Sequence, residues 1–187
     1  MTYIYIDNLK EILDSIKFSK FKKLHISSLS SLFVKYNLNN IALTNRFNSL
    51  TNIEIININV EEITIDVSFP NLKLIICKNC NLKLIKINKR QNNLKILDLS
   101  DNVLTEFNDI FKHIPNIVDI RLNNNKLEEI HINKLEFCKN INLNHNLLTI
   151  FTIKHKKCLK LKNIYLIGNM LKTTTNTTFE GTNIIVE

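Results

Sequence analysis

The sequence predicts an α/β repeat protein: a single right-handed solenoid with a concave parallel β-sheet, a convex side of mostly extended or 3-10 segments, and a capping helix at its N-terminus. Three observations carry this expectation. A pattern of four apolar positions and one Asn-type position recurs every 21 to 23 residues along the chain. Inside each copy two apolar residues stand two apart, the spacing that sends both side chains to one face of a strand. Only two Gly and two Pro occur among 187 residues, too few for a fold made of tight β-turns.

The repeat is clearest at Leu94, Leu97, Leu99, Asn102 and Leu104. It returns as Ile117, Ile120, Leu122, Asn125, Leu127, then as Cys138, Ile141, Leu143, Asn146, Leu148, and again as Leu161, Ile164, Leu166, Asn169, Leu171. Upstream, Leu72, Ile75, Cys77, Cys80, Leu82 places Cys in the Asn slot, and Leu50, Ile53, Ile55, Ile58, Val60 places Ile there. One turn cannot bury its own apolar face, so stacking is what buries it. The Asn amide can bond backbone groups of its own and the adjacent turn, so Asn102, Asn125, Asn146 and Asn169 are expected to form a ladder. That ladder should be looser at Cys80 and Ile58.

A second apolar pair follows in most repeats: Ile63 and Ile65, Ile85 and Ile87, Ile130 and Ile132, Phe151 and Ile153. These read as short extended convex segments. Phe107, Ile110, Phe111 and Ile114 have helical spacing instead and stop at Pro115, which predicts a short helix or 3-10 turn. Asp7 to Lys20 carries Leu9, Ile12, Leu13 and Ile16 on one face behind a possible N-cap at Asp7, and reads as the capping helix. Phe21, Leu24, Ile26 and Leu29 suggest an early strand and turn. Leu38, Ile41 and Leu43 suggest another strand, but Ile53 follows too soon for a normal turn. Either one repeat is shortened there or Leu29 to Leu50 is a longer excursion. Ile184, Ile185 and Val186 predict a last strand. The domain is therefore divided as 1–49 (cap and irregular repeats), 50–171 (six regular repeats) and 172–187 (C-terminal cap).

The pattern L-x-x-L-x-L-x-x-N-x-L resembles the leucine-rich repeat family, in its short intracellular-type form, over Leu50 to Leu171. The Ile-, Asn- and Lys-rich composition is similar to that of leucine-rich repeat paralogues of large DNA viruses with AT-rich genomes. The resemblance implies a non-enzymatic module that binds a partner protein on its concave face. In some relatives that role is substrate recognition within a larger complex.

Net charge is +8 and the pI is near 9.3. A basic balance suits nucleic acid or an anionic surface, but AT-rich codons also supply Lys wherever a polar residue is tolerated. No run approaches the ~20 apolar residues of a membrane span. The start lacks a basic and then apolar leader, so the expectation is an intracellular, cytoplasmic protein with its four cysteines reduced. The acceptor pattern at Asn176 then has no role.

Chemistry-bearing groups are few. Cys77-Lys-Asn-Cys80 has zinc or redox spacing, but no second ligand pair is near and the repeat frame accounts for both residues. The five His fall at different repeat positions, and His155 with Cys158 lacks further ligands. Two glycines cannot make a phosphate loop. Glu61-Glu62 and Glu128-Glu129 read as solvated surface. No catalytic residue, cofactor, metal or enzymatic activity is expected. The Lys83, Lys86, Lys89, Arg90 group and the Lys154 to Lys162 run lie in return segments without interleaved aromatics, so nucleic-acid binding is the alternative and not the main reading. The concave columns supply the candidate site. Ile56, Leu74, Ile76 and Ile96 are expected to lie exposed beside one another as an apolar cluster. Asp98, Asp119, Arg121, Asn142 and Tyr165 continue it as a polar stripe with Arg and Tyr anchors. The partner is a protein, and the oligomeric state is left open.

Overall fold

Alternation of apolar and polar residues decides the main sheet. In β3 (Asn52–Ile56) the side chains of Ile53 and Ile55 are fully buried, while Asn52, Glu54 and Ile56 keep partial contact with solvent. That is the signature of a strand with one wet face. β5 (Leu74–Lys78), β8 (Asp119–Arg121), β10 (Asn140–Asn142) and β12 (Asn163–Tyr165) repeat it. Together with β1 (Lys23–Ser27), β7 (Ile96–Asp98) and β13 (Asn183–Ile185) they form one eight-stranded sheet in the order β1-β3-β5-β7-β8-β10-β12-β13. Every pairing is parallel, and Leu97, Ile120, Ile141 and Ile164 stand opposite one another in successive strands. The computed structural model describes residues 23–27, 37–43, 49–153, 158, 160–171 and 182–186. It is a parallel β-solenoid, and no α-helix occurs among the described residues. The expected helix over Asp7 to Lys20 lies outside them.

The return segments build a second layer. β2 (Asn37–Leu43), β4 (Asn59–Ile65) and β6 (Leu84–Ile87) form a three-stranded parallel sheet, and β9 (Glu129–Ile132) pairs with β11 (Ile150–Ile153) in another. Between them the chain forms a 3-10 helix, Asn108–His113. Its apolar spacing turns Phe107, Ile110, Phe111 and Ile114 into the core, where the Phe107 and Phe111 rings meet edge to face at 5.2 Å. The core lies between the two layers and is almost entirely aliphatic.

The segment Leu38 to Leu43, ambiguous in sequence, belongs to the return layer. Asn37 stands opposite Asn59, a normal repeat away, whereas Lys23 stands opposite Asn52, 29 positions on. The longer excursion is therefore the outcome, and its extra residues fall between β1 and β2.

At the ends of β3, β5, β7, β8, β10 and β12 the chain turns inward through a left-handed residue, with a second one, Asn81, two positions further on after β5. Asn57, Asn79, Asp101, Asn124, His145 and Gly168 have φ between 53° and 69°. Asn, Asp and Gly tolerate this region best. The next residue is the ladder position. Asn102 Nδ2 donates to the carbonyls of Cys77 (2.7 Å), Leu99 (3.0 Å) and Ser100 (3.1 Å), and its Oδ1 accepts the N–H groups of Cys80 and Leu82, both at 3.0 Å. Asn125, Asn146 and Asn169 accept in the same way from Leu104, Leu127 and Leu148 of the preceding turn. At Cys80 the thiol takes over part of this work, donating to the Lys78 (3.1 Å) and Ile55 (3.4 Å) carbonyls. The ladder is thinner there, as expected.

Candidate functional site

The three outward columns of the main sheet form its open face, and parallel pairing fixes who stands beside whom. Leu74 is opposite Asn52 on one side and Ile96 on the other; Ile76 is opposite Glu54 and Asp98. Ile56 closes β3, opposite Lys78. Leu74 and Ile96 thus stand side by side, with Ile76 two residues along from Leu74 on the same face and Ile56 diagonal to Ile76. All four are half-buried. The sequence expectation of an exposed cluster is corrected to this extent: closely spaced parallel columns shield one another, so each side chain keeps only part of its surface in contact with solvent. Among the described residues the large apolar side chains most open to solvent are elsewhere: Phe137, Leu147, Ile150, Met170 and Val186.

The polar half of the face is organised by Asp98. Its side chain is only 9% exposed. It accepts from the Ser100 backbone N–H at 3.0 Å and the Ser100 hydroxyl at 2.7 Å. Arg121 crosses from the next strand, with its guanidinium 3.4 Å from Asp98 and 2.9 Å from Asp119. Partial burial opposes the charge on Arg121, but the two aspartates outweigh it and hold its pKa above the usual value. The expected surface role therefore divides: Asp98 is a buried anchor, while Arg121 is the group presented to solvent. Asn142 accepts from the Asn144 N–H at 3.1 Å, Asn144 accepts from the Ile167 N–H at 2.8 Å, and Asn163 donates to Asn140 at 2.8 Å. Tyr165 stands half-buried opposite Asn142. The face thus joins a half-buried apolar half to a half of fixed amides and one preset cation.

Other candidates fall into place around it. The Cys77 and Cys80 thiols are buried, and their mutual interaction raises the pKa of Cys77 and lowers that of Cys80. Burial pushes Cys138 up to about 12 and also raises Cys158. No group of His, Cys, Asp and Glu suited to a metal ion occurs among the described residues. No helix among them is long and apolar enough to cross a membrane. Lys83 pairs with Glu61 at 3.1 Å and Lys86 with Glu62 at 3.0 Å, so the acidic pair of the preceding turn offsets two of the four charges of this basic group. Of the second basic run, Lys160 rests 4.7 Å from the centre of the Phe137 ring, while residues 154–157 lie outside those described.

Two features escaped sequence reasoning. One is the left-handed column, signalled by Asn, Asp or Gly just before most ladder positions. The other is a groove where the 3-10 helix interrupts the return layer, signalled only by the change of period at Phe107. No family model, curated protein or solved structure matches the chain.

Proposed function

We propose that this chain is a non-enzymatic binding module of the leucine-rich repeat kind, which holds a partner protein on the open face of its eight-stranded sheet. The observation that carries the reading is the adjacent placement of Leu74, Ile76 and Ile96 on that face, bordered by Arg121 already fixed by two aspartates. An apolar patch that is still partly open to water is stabilised when covered. An arginine whose geometry is set in advance loses less side-chain entropy on binding. The neighbouring lysines of the return layer are engaged by Glu61 and Glu62, which favours a protein over a polyanion as the partner.

The test is affinity capture from the native cells with the wild type and with the Leu74→Asp, Ile76→Asp double variant. Loss of co-purifying proteins, with an unchanged circular dichroism spectrum, is the expected result. An identical set of captured proteins from a folded variant would remove the open face from consideration.

A further inference from the structure

Lysine recurs at one place in the coil, the residue just before a main strand. Lys73 precedes β5, Lys95 precedes β7, Lys139 precedes β10 and Lys162 precedes β12, with Val118 in the same place before β8. Backbone bonds hold these residues in single file. The Lys95 N–H donates to the Lys73 carbonyl at 2.9 Å, and Val118 donates to Lys95, Lys139 to Val118 and Lys162 to Lys139, each at 2.8 Å. Neighbours in the file are therefore one strand spacing apart, about 4.8 Å, and the row from Lys73 to Lys162 runs for about 19 Å. All four lysines are exposed. They form no run in the sequence, since each lies a coil or more from the next.

Elsewhere the stack sets a carboxylate beside a lysine of the adjacent coil: Glu61 with Lys83, Glu62 with Lys86 and Asp101 with Lys78. In this row the neighbour of a lysine is another lysine, at Lys73 and Lys95 and again at Lys139 and Lys162. Like charges side by side on adjacent strands are destabilising. Among the described residues none of the four has an ion pair; Lys95 donates to the Asn116 carbonyl at 3.3 Å. The carboxylates close to the row in the chain are already engaged, Asp119 by Arg121 at 2.9 Å and Glu136 by Lys134 at 2.8 Å. An aromatic ring belongs to the same corner. Phe137, two residues before Lys139, is 39% exposed, and Lys160, two residues before Lys162, holds its ammonium 4.7 Å from the ring centre.

We propose that this corner is a second binding site, which takes a single-stranded nucleic acid laid across the coils. The lysines neutralise successive phosphates, and the exposed part of the Phe137 ring stacks on a base. A row one side chain wide suits a linear polyanion, whereas an anionic membrane calls for cations spread over a plane. Stacking on Phe137 also needs a base, which polyphosphate and lipid headgroups lack. The paired Lys83 and Lys86 take no part. The site lies beside the open face and does not rest on the reading of that face.

The probe is a fluorescein-labelled thymidine oligonucleotide of about twelve nucleotides, titrated into the full chain and followed by anisotropy at several salt concentrations. Saturable binding is expected, with a logarithmic salt slope of about −3, the value for four phosphates of a single strand. Lys139→Ser with Lys162→Ser should weaken binding and bring the slope to about −1.4. Lys83→Ser with Lys86→Ser removes the same number of lysines from the paired set and should leave the slope as it was. Phe137→Ser should weaken the oligonucleotide about tenfold at unchanged slope, without altering competition by inorganic polyphosphate. Should a variant fail to fold by circular dichroism, Lys73→Ser with Lys95→Ser carries the slope test, and the wild-type slope stands beside it. Absence of saturable binding at low salt, a flat salt response, equal loss in the Lys83→Ser, Lys86→Ser protein, undiminished affinity of Phe137→Ser, or tighter binding to phosphatidylserine vesicles than to the oligonucleotide would each overturn the proposal.

Discussion

The imidazole of His145 occupies the space in which a Cβ on Gly168 would stand. The two residues hold the same place in adjacent turns, each left-handed, with φ of 54° and 69°. Gly168 thus serves two needs, a backbone conformation costly to other residues and room for the ring above it. Gly168→Ala is expected to destabilise the protein by about 1–2 kcal/mol from conformation alone, with more from crowding. In a urea-unfolding cycle with His145→Gly, the crowding part should disappear, giving a coupling of at least about 0.5 kcal/mol. Strict additivity would show that the ring moves aside without cost.

Asn125 is 7% exposed and bonds the Leu104 N–H and the Leu99 and Leu122 carbonyls. Asn125→Leu keeps the volume and strands these buried groups, so a loss of about 3 kcal/mol or more is expected in chemical denaturation. Asn124, one residue earlier, is exposed with φ of 55°. Asn124→Gly removes only the exposed bond that Asn124 Nδ2 donates to Asp101 Oδ1 at 2.6 Å and should change stability by no more than about 0.5 kcal/mol; a large loss there would show that this surface bond matters more than the backbone conformation.

Cys80 fills an Asn position with a weaker donor. Cys80→Asn adds an amide where Lys78 and Ile55 carbonyls already wait, and should stabilise the protein by about 1 kcal/mol. A raised urea midpoint at unchanged slope is the readout. A lowered midpoint would mean that the Cys77–Cys80 thiol contact is worth more than the amide.

His113 gives the pH dependence a direction. Burial, followed by the Lys112 and Arg90 charges, lowers its pKa from the ordinary 6.5, and its buried Nδ1 has no hydrogen-bond partner among the described residues. Folding therefore favours the neutral ring. That contribution is complete above pH 6.5 and is lost as the pH falls through the folded-state pKa below it. Thermal unfolding of wild type and His113→Gln between pH 7.5 and 5 should show the wild type losing ground to the variant on the acid side. Parallel curves would remove His113 as the cause.

Most of the fold was legible because burial repeats with the turn. Ile120 and Leu122 announce a strand facing a core, and six such copies announce a stack. Even Phe107 to Ile114 declared its change of period. The placement of Leu38 to Leu43 was not legible, since an apolar strand reads alike in either layer, and only its register against Asn59 to Ile65 assigns it. The candidate site was half legible. Columns follow from period two, so Leu74, Ile76 and Ile96 could be set side by side in advance. How far three packed columns shade each other, or that Asp98 sinks beneath Arg121 and Ser100, depends on side-chain reach across strands, which spacing does not encode.

Each ladder asparagine accepts from N–H groups of the turn before it, as Asn102 does from Cys80 and Leu82, Asn125 from Leu104 and Asn146 from Leu127. The stack consequently has a sense of direction. A turn becomes complete only when its successor arrives, so a chain emerging from the ribosome locks each coil one step late. Cutting the protein back from its C-terminus bares unsatisfied amides at the new last coil. Shortening it from the other end leaves the remaining coils with the asparagines that close them.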